Sequence, residues 1–92
     1  MFLGVIVVFM SLPQVLQYRH RSRSSHLRDV AAGLCTRPVK LGRRSVAWLQ
    51  PELEALRAAA IAGKSEAEIQ RLVGKLHADR ERSFRRVVGS DD

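Results

Sequence analysis

A single cysteine in 92 residues removes two chemistries at once. Cys35 has no partner for an internal disulfide, and His20, His26 and His77 have neither the spacing nor the thiols of a zinc site. That cysteine usage fits a reducing cytoplasm. A long hydrophobic run is also missing. The opening Met1 to Met10 is wholly apolar, but Pro13 and Gln14 close it well short of the about 20 residues that a membrane span needs. The basic region that precedes the core of a secretory signal is absent too, because the arginines come afterwards. No glycine-rich phosphate loop and no nucleophile with a nearby base can be found, and Glu52, Glu54, Glu66 and Glu68 stand where helix starts place them. These absences argue against an enzyme, and no cofactor, metal, small-molecule substrate or membrane partner is expected.

What is scarce in the first half is acid. The chain carries a formal net charge of +7, and its distribution matters more than its size. Residues 10–49 hold eight basic side chains (Arg19, Arg21, Arg23, Arg28, Arg37, Lys40, Arg43, Arg44) against the single acid Asp29. Residues 50–92 hold eight of each sign. The whole surplus therefore lies in one segment, which favours a polyanionic partner, since each cation set on a phosphate releases counterions. Asp29 is expected to pair with Arg28 or another neighbouring arginine.

That segment has a readable order. Ser11 and Pro13 start a helix over about 12–18 whose apolar face is Leu12, Val15 and Leu16. Arg19 to Arg23 form a polar turn. Ser22 or Ser24 caps a second helix that runs to about Ala32 and stops at Gly33, with Leu27, Val30 and Ala31 facing inward. Then Val39 to Leu41 and Val46 to Trp48 flank Gly42-Arg43-Arg44-Ser45, the pattern of a hairpin with a cationic tip. Val39, Leu41, Val46 and Trp48 are assigned to the core side, and Trp48 is read as a core anchor rather than a base-stacking platform. Helix, turn, helix and basic hairpin make a small winged helix-turn-helix. Its second helix would offer Arg23, Ser24, Ser25 and Arg28 to DNA, and its wing Lys40, Arg43 and Arg44 to phosphates.

After the wing, Pro51 and Glu52 open a helix with Leu53, Leu56, Ala60 and Ile61 inward and Gly63 as its stop. Ser65 and Glu68 form a capping box for a last helix carrying Ile69, Leu72, Val73 and Leu76, which covers the thin core of so small a domain or meets a second copy.

Over roughly residues 10–62, and more weakly to about 80, the chain resembles the AlpA-type phage regulatory proteins, small DNA-binding regulators related to excisionases. The resemblance rests on the leucine-rich first helix, Ser22-Arg23-Ser24-Ser25, Ala32-Gly33, and above all Pro38 to Leu49. It implies a sequence-specific transcriptional regulator or excision-associated factor of prophage or integrated-element origin, bound to double-stranded DNA in a bacterial cytoplasm. Three departures predict a weakened helix-turn-helix. Cys35-Thr36 replaces the family's Phe-Pro, His20-Arg21 stands where a turn glycine is usual, and His26-Leu27 replaces an aliphatic-tyrosine pair, setting a polar ring against the core. The alternative function is a helical interaction or dimerisation module with DNA binding weakened or lost, and a third reading is a membrane-surface peptide.

The expected architecture is mainly α with a small β-hairpin, a winged helix-turn-helix followed by two C-terminal helices. Its divisions are an apolar N-terminal extension over 1–9 that need not be native, with translation from Met10 as the alternative, the winged helix-turn-helix over 10–49, a helical pair over 50–86 that could form a homodimer, and a disordered tail over 87–92.

Overall fold

The computed structural model describes residues 8–89. Four helices and a three-stranded antiparallel sheet follow in the order β1 (Phe9–Met10), α1 (Leu12–Arg19), α2 (Arg23–Ala31), β2 (Val39–Lys40), β3 (Val46–Leu49), α3 (Gln50–Ile61) and α4 (Glu66–Val88).

Local chemistry sets most of these boundaries. The Ser11 hydroxyl accepts the Gln14 N–H while the Gln14 side chain accepts the Ser11 N–H, a reciprocal cap that also accommodates Pro13 in the first turn. Ser65 and Glu68 repeat that device at α4, and Ser22 caps α2 through the Ser25 N–H. Three helices end in the same way. After α1 the Arg21 N–H reaches the Leu16 carbonyl, after α2 the Leu34 N–H reaches Asp29, and after α3 the Lys64 N–H reaches Ala59. Such an ending needs one residue with positive φ. Gly33 and Gly63 supply it at φ 77° and 73°, and His20 supplies it at φ 56°. The turn that lacks its glycine thus forms with the same hydrogen bonds, at a backbone cost of about 1–2 kcal/mol for a side chain in that region.

The sheet order is β1-β3-β2. Phe9 lies opposite Leu49 and Met10 opposite Trp48, while Val39 pairs with Ala47 and Lys40 with Val46. The extension expected over residues 1–9 is corrected at its end: Phe9 is a strand residue, and the Gln50 N–H donates to the Val8 carbonyl at 2.9 Å. Residues 1–7 lie outside the described part. The hairpin's core side is corrected as well. Trp48 and its neighbour Ala47 are buried and Val39 is half-buried, but Leu41 and Val46 are exposed, because the hairpin tip extends past the packed helices.

The core comprises Val15, Cys35, Trp48, Leu53, Leu56 and Val73, with Met10, Leu12, Tyr18, Val30, Ile69, Leu72 and Leu76 packed around it. It draws on both sides of the division expected at residue 49, since β3 runs directly into α3 and α4 folds back over both. The stripe expected on α4 covers this core. Elsewhere two faces are shifted. The inward residues of α2 are His26, Asp29 and Val30, leaving Leu27 and Ala31 exposed. On α3, Leu53 and Leu56 are inside, but Ala60 is exposed and Ile61 is 80% exposed, because the last turn has left the core. Finally, α4 continues through Val88, so the boundary of the tail expected from residue 87 falls inside a helix, and residues 90–92 lie outside the described part. No helix among the described residues is long and apolar enough to cross a membrane.

Candidate nucleic-acid interface

The cations of the first half divide into those the fold uses and those it leaves free. Asp29 is buried on the inner face of α2, where a lone carboxylate would be costly. One of its oxygens, Oδ2, accepts from Arg19 Nη2 at 3.0 Å, from Arg21 Nε at 3.0 Å and from Arg21 Nη2 at 2.6 Å. Of the two partners expected for Asp29, Arg28 or another nearby arginine, the structure has the second: Arg19 at the end of α1 and Arg21 in the turn, because Asp29 faces inward and Arg28 outward. Two guanidiniums on one carboxylate fasten α1, the turn and α2 together.

His26 belongs to the same assembly. Its ring is fully buried, edge-on to Trp48 with centroids 4.9 Å apart, and Arg19 Nη1 lies 2.9 Å from its Nδ1. A guanidinium only donates, so Nδ1 is the acceptor and the ring proton sits on Nε2. Nε2 has no partner among the described residues. Burial, and then the Arg19 charge, hold the His26 pKa below its ordinary value, which favours the neutral ring. The polar ring expected against the core is present, and its neutrality, its Trp48 contact and its Arg19 bond compensate it in part.

A second clamp holds the base of the hairpin. Thr36 is buried and its carbonyl accepts the Trp48 indole N–H at 2.9 Å. At the next residue, the Arg37 N–H donates to His77 Nε2 at 3.1 Å and the Arg37 carbonyl accepts from Arg80 Nη2 at 2.7 Å. Arg80 also makes two 2.7 Å bonds to the carboxylate of Glu52. Residues of α3 and α4 thereby fix where the hairpin begins. Burial and the nearby Arg37 and Arg80 charges lower the His77 pKa, which keeps the ring able to accept.

The expected DNA-contacting side chains fall into two groups. On α2, Arg23, Ser24 and Arg28 are exposed and Ser25 is half-buried. Ser24 and Arg28 are one turn apart, on the face opposite His26 and Asp29. Because Ser22 is the cap, the hydroxyls of Ser24 and Ser25 bond no described residue, and no acid occupies the first turn. The other group is gathered by the hairpin. The Leu41 N–H donates to the Ser45 carbonyl at 2.8 Å, closing a tip of Gly42, Arg43 and Arg44 directly beyond Lys40. All three cations are exposed. Among the described residues none of Arg23, Arg28, Lys40, Arg43 and Arg44 forms an ion pair, whereas Arg19, Arg21 and Arg80 are all engaged.

Arg37 is a further exposed cation that the motif did not single out. Its position directly before Pro38, at the start of the hairpin, was the available signal. Cys35 is buried and burial raises its thiol pKa, so it is a core atom rather than a reactive one. No group of three His, Cys, Asp or Glu side chains that could hold a metal occurs among the described residues. No family model, curated protein or solved structure matches the chain.

Proposed function

We propose that this chain is a sequence-specific double-stranded DNA-binding protein of the winged helix-turn-helix type, a transcriptional regulator or excision-associated factor of the AlpA kind. The observation that carries the reading is the sorting of its charges. Arg19, Arg21 and Arg80 are engaged by an acid, while Arg23, Arg28, Lys40, Arg43 and Arg44 stand exposed on α2 and the hairpin with no ion pair among the described residues. Unpaired exposed cations on a helix N-terminal half and a rigidly based hairpin suit phosphates and base edges. The α2 start adds backbone N–H groups with no acid in its first turn. In this reading α2 carries base readout through Arg23, Ser24, Ser25 and Arg28, and the wing grips the backbone through Lys40, Arg43 and Arg44.

The departures at His20 and His26 do not speak against this role, because the turn hydrogen bonds and the α1–α2 clamp are both formed. The alternative, an interaction module with DNA binding lost, draws on the exposed apolar end of α4 and predicts no sequence preference.

Selection from a random duplex library at physiological salt separates the two. An enriched sequence supports the regulator, and failure of the folded protein to enrich any site refutes it. On the enriched site, Arg43→Ala and Arg44→Ala should weaken binding to all duplexes alike and reduce the salt slope by about one unit per lost phosphate contact. Arg23→Ala or Arg28→Ala should cost about 1–3 kcal/mol on the selected site and much less on random DNA.

A further inference from the structure

The last two turns of α4 present an apolar surface that the domain does not use. Along this 23-residue helix, Val73, Leu76, Arg80, Phe84 and Val87 follow one another at steps of three or four, so they share one face. The first part of that face packs on the core through Val73 and Leu76 and on Glu52 through Arg80. Arg80 is where the domain ends. Beyond it the same face continues with Phe84 at 60% exposure and Val87 at 76%, with the exposed Val88 beside them. Exposed valine and phenylalanine at core-face spacing are a helix surface without its partner.

We infer that this surface is covered by the same surface of a second copy, with the two α4 ends antiparallel. Three observations select that occupant. The apolar overhang lies on the face that also carries the domain body, so a parallel neighbour would drive its own domain into the first. An antiparallel neighbour instead overlaps only the overhangs and places the two domains at opposite ends. The polar positions also match themselves. Glu81 and Arg85 flank the apolar face on one side, and both are exposed. In an antiparallel pair, like flanks meet, so Glu81 of each copy lies beside Arg85 of the other, and the twofold axis makes this contact twice. Their bond within one chain is a 3.4 Å contact between exposed groups and holds neither in place. Lastly, the patch is small, which fits a weak, reversible dimer rather than an obligate one. The inference stands independently of DNA binding.

Sedimentation equilibrium of the full chain from about 1 to 500 μM tests it, with circular dichroism to show that each variant keeps its helices. The wild type should move from one copy to two across that range. Val87→Glu should weaken dimerisation at least about tenfold by burying a charge in the seam. Glu81→Arg and Arg85→Glu should each weaken it by roughly three- to tenfold, and the double charge swap should recover most of the loss. A folded wild type that stays monomeric at 500 μM overturns the proposal. So does a dimer indifferent to Val87→Glu, and a dimer whose double swap is no better than the single changes overturns the antiparallel register.

Discussion

Removing the arginine from the Glu52–Arg80 pair should cost this domain far more than removing the pair itself. The Glu52 side chain is 7% exposed and that of Arg80 23%, and the bonds from Arg80 Nε and Nη2 are both 2.7 Å. A buried carboxylate stripped of the one cation that pairs with it among the described residues is an uncompensated charge, for which about 3–5 kcal/mol of destabilisation is usual. The Arg37 carbonyl loses a donor in the same step. A chain of this length has about 5–14 kcal/mol in all, so Arg80→Met should remove a large fraction of its stability. At about 4–8 °C per kcal/mol, the midpoint of thermal unfolding should fall by at least about 12 °C. Glu52→Leu combined with Arg80→Met replaces both charges by apolar groups of similar volume, and such replacements are often neutral. The double variant should therefore melt above the single one. Thermal unfolding followed by circular dichroism measures both, and the slope of urea unfolding checks that each variant unfolds as one unit. A shift under about 4 °C for Arg80→Met would show that water screens this pair and that it does not hold α4 to the base of the hairpin. A double variant worse than the single would refute the charge argument and leave packing as the cause.

Three further outcomes follow from particular contacts. Burial depresses the His26 and His77 pKa values, so the unfolded chain binds protons that the folded chain does not; stability should be fully present above about pH 6.5 and fall below it by up to about 1.4 kcal/mol per pH unit for each ring that stays neutral, and His26→Gln should flatten the slope measured by urea unfolding between pH 7 and 5. His20→Gly should raise stability by up to about 1 kcal/mol, because glycine takes the observed positive φ without the side-chain penalty, and an unchanged or lowered midpoint would contradict that account of the turn. A chain beginning at Met10 should remain helical but lose about 0.5–1.5 kcal/mol or more, since the Gln50 N–H loses the Val8 carbonyl and β3 loses Phe9; equal stability would show that β1 contributes nothing.

How much of this was legible depends on whether the information lay within a few residues or across the chain. Ser22, Gly33, Gly63 and the Ser65–Glu68 box act on their own backbone neighbours, and the helix ends they announce are the ends observed. The stripe Ile69, Leu72, Val73 and Leu76 was equally plain, because one periodicity runs without interruption. The sheet was only half legible. The Val39–Trp48 hairpin is local, but β1 pairs Phe9 with Leu49 across forty residues, and nothing in an apolar run reports its partner. Inward faces failed where polarity misled. Counting apolar residues puts Leu27 inside α2, whereas His26 and Asp29 take that side because Arg19 and Arg21 arrive from the preceding turn to satisfy them. The same crossing contacts decide what the candidate site consists of. From the sequence, the motif already sets Arg23, Arg28, Lys40, Arg43 and Arg44 apart as expected DNA contacts, while Arg19 and Arg21 are only members of a polar turn. The folded chain gives those two their task, holding two helices together through Asp29, and leaves the other five without an ion pair among the described residues. Under the proposed DNA-binding role, a neutralising change in Arg19 or Arg21 acts on stability and one among the other five on binding, so the two sets should diverge when unfolding and DNA affinity are measured side by side on the same variants.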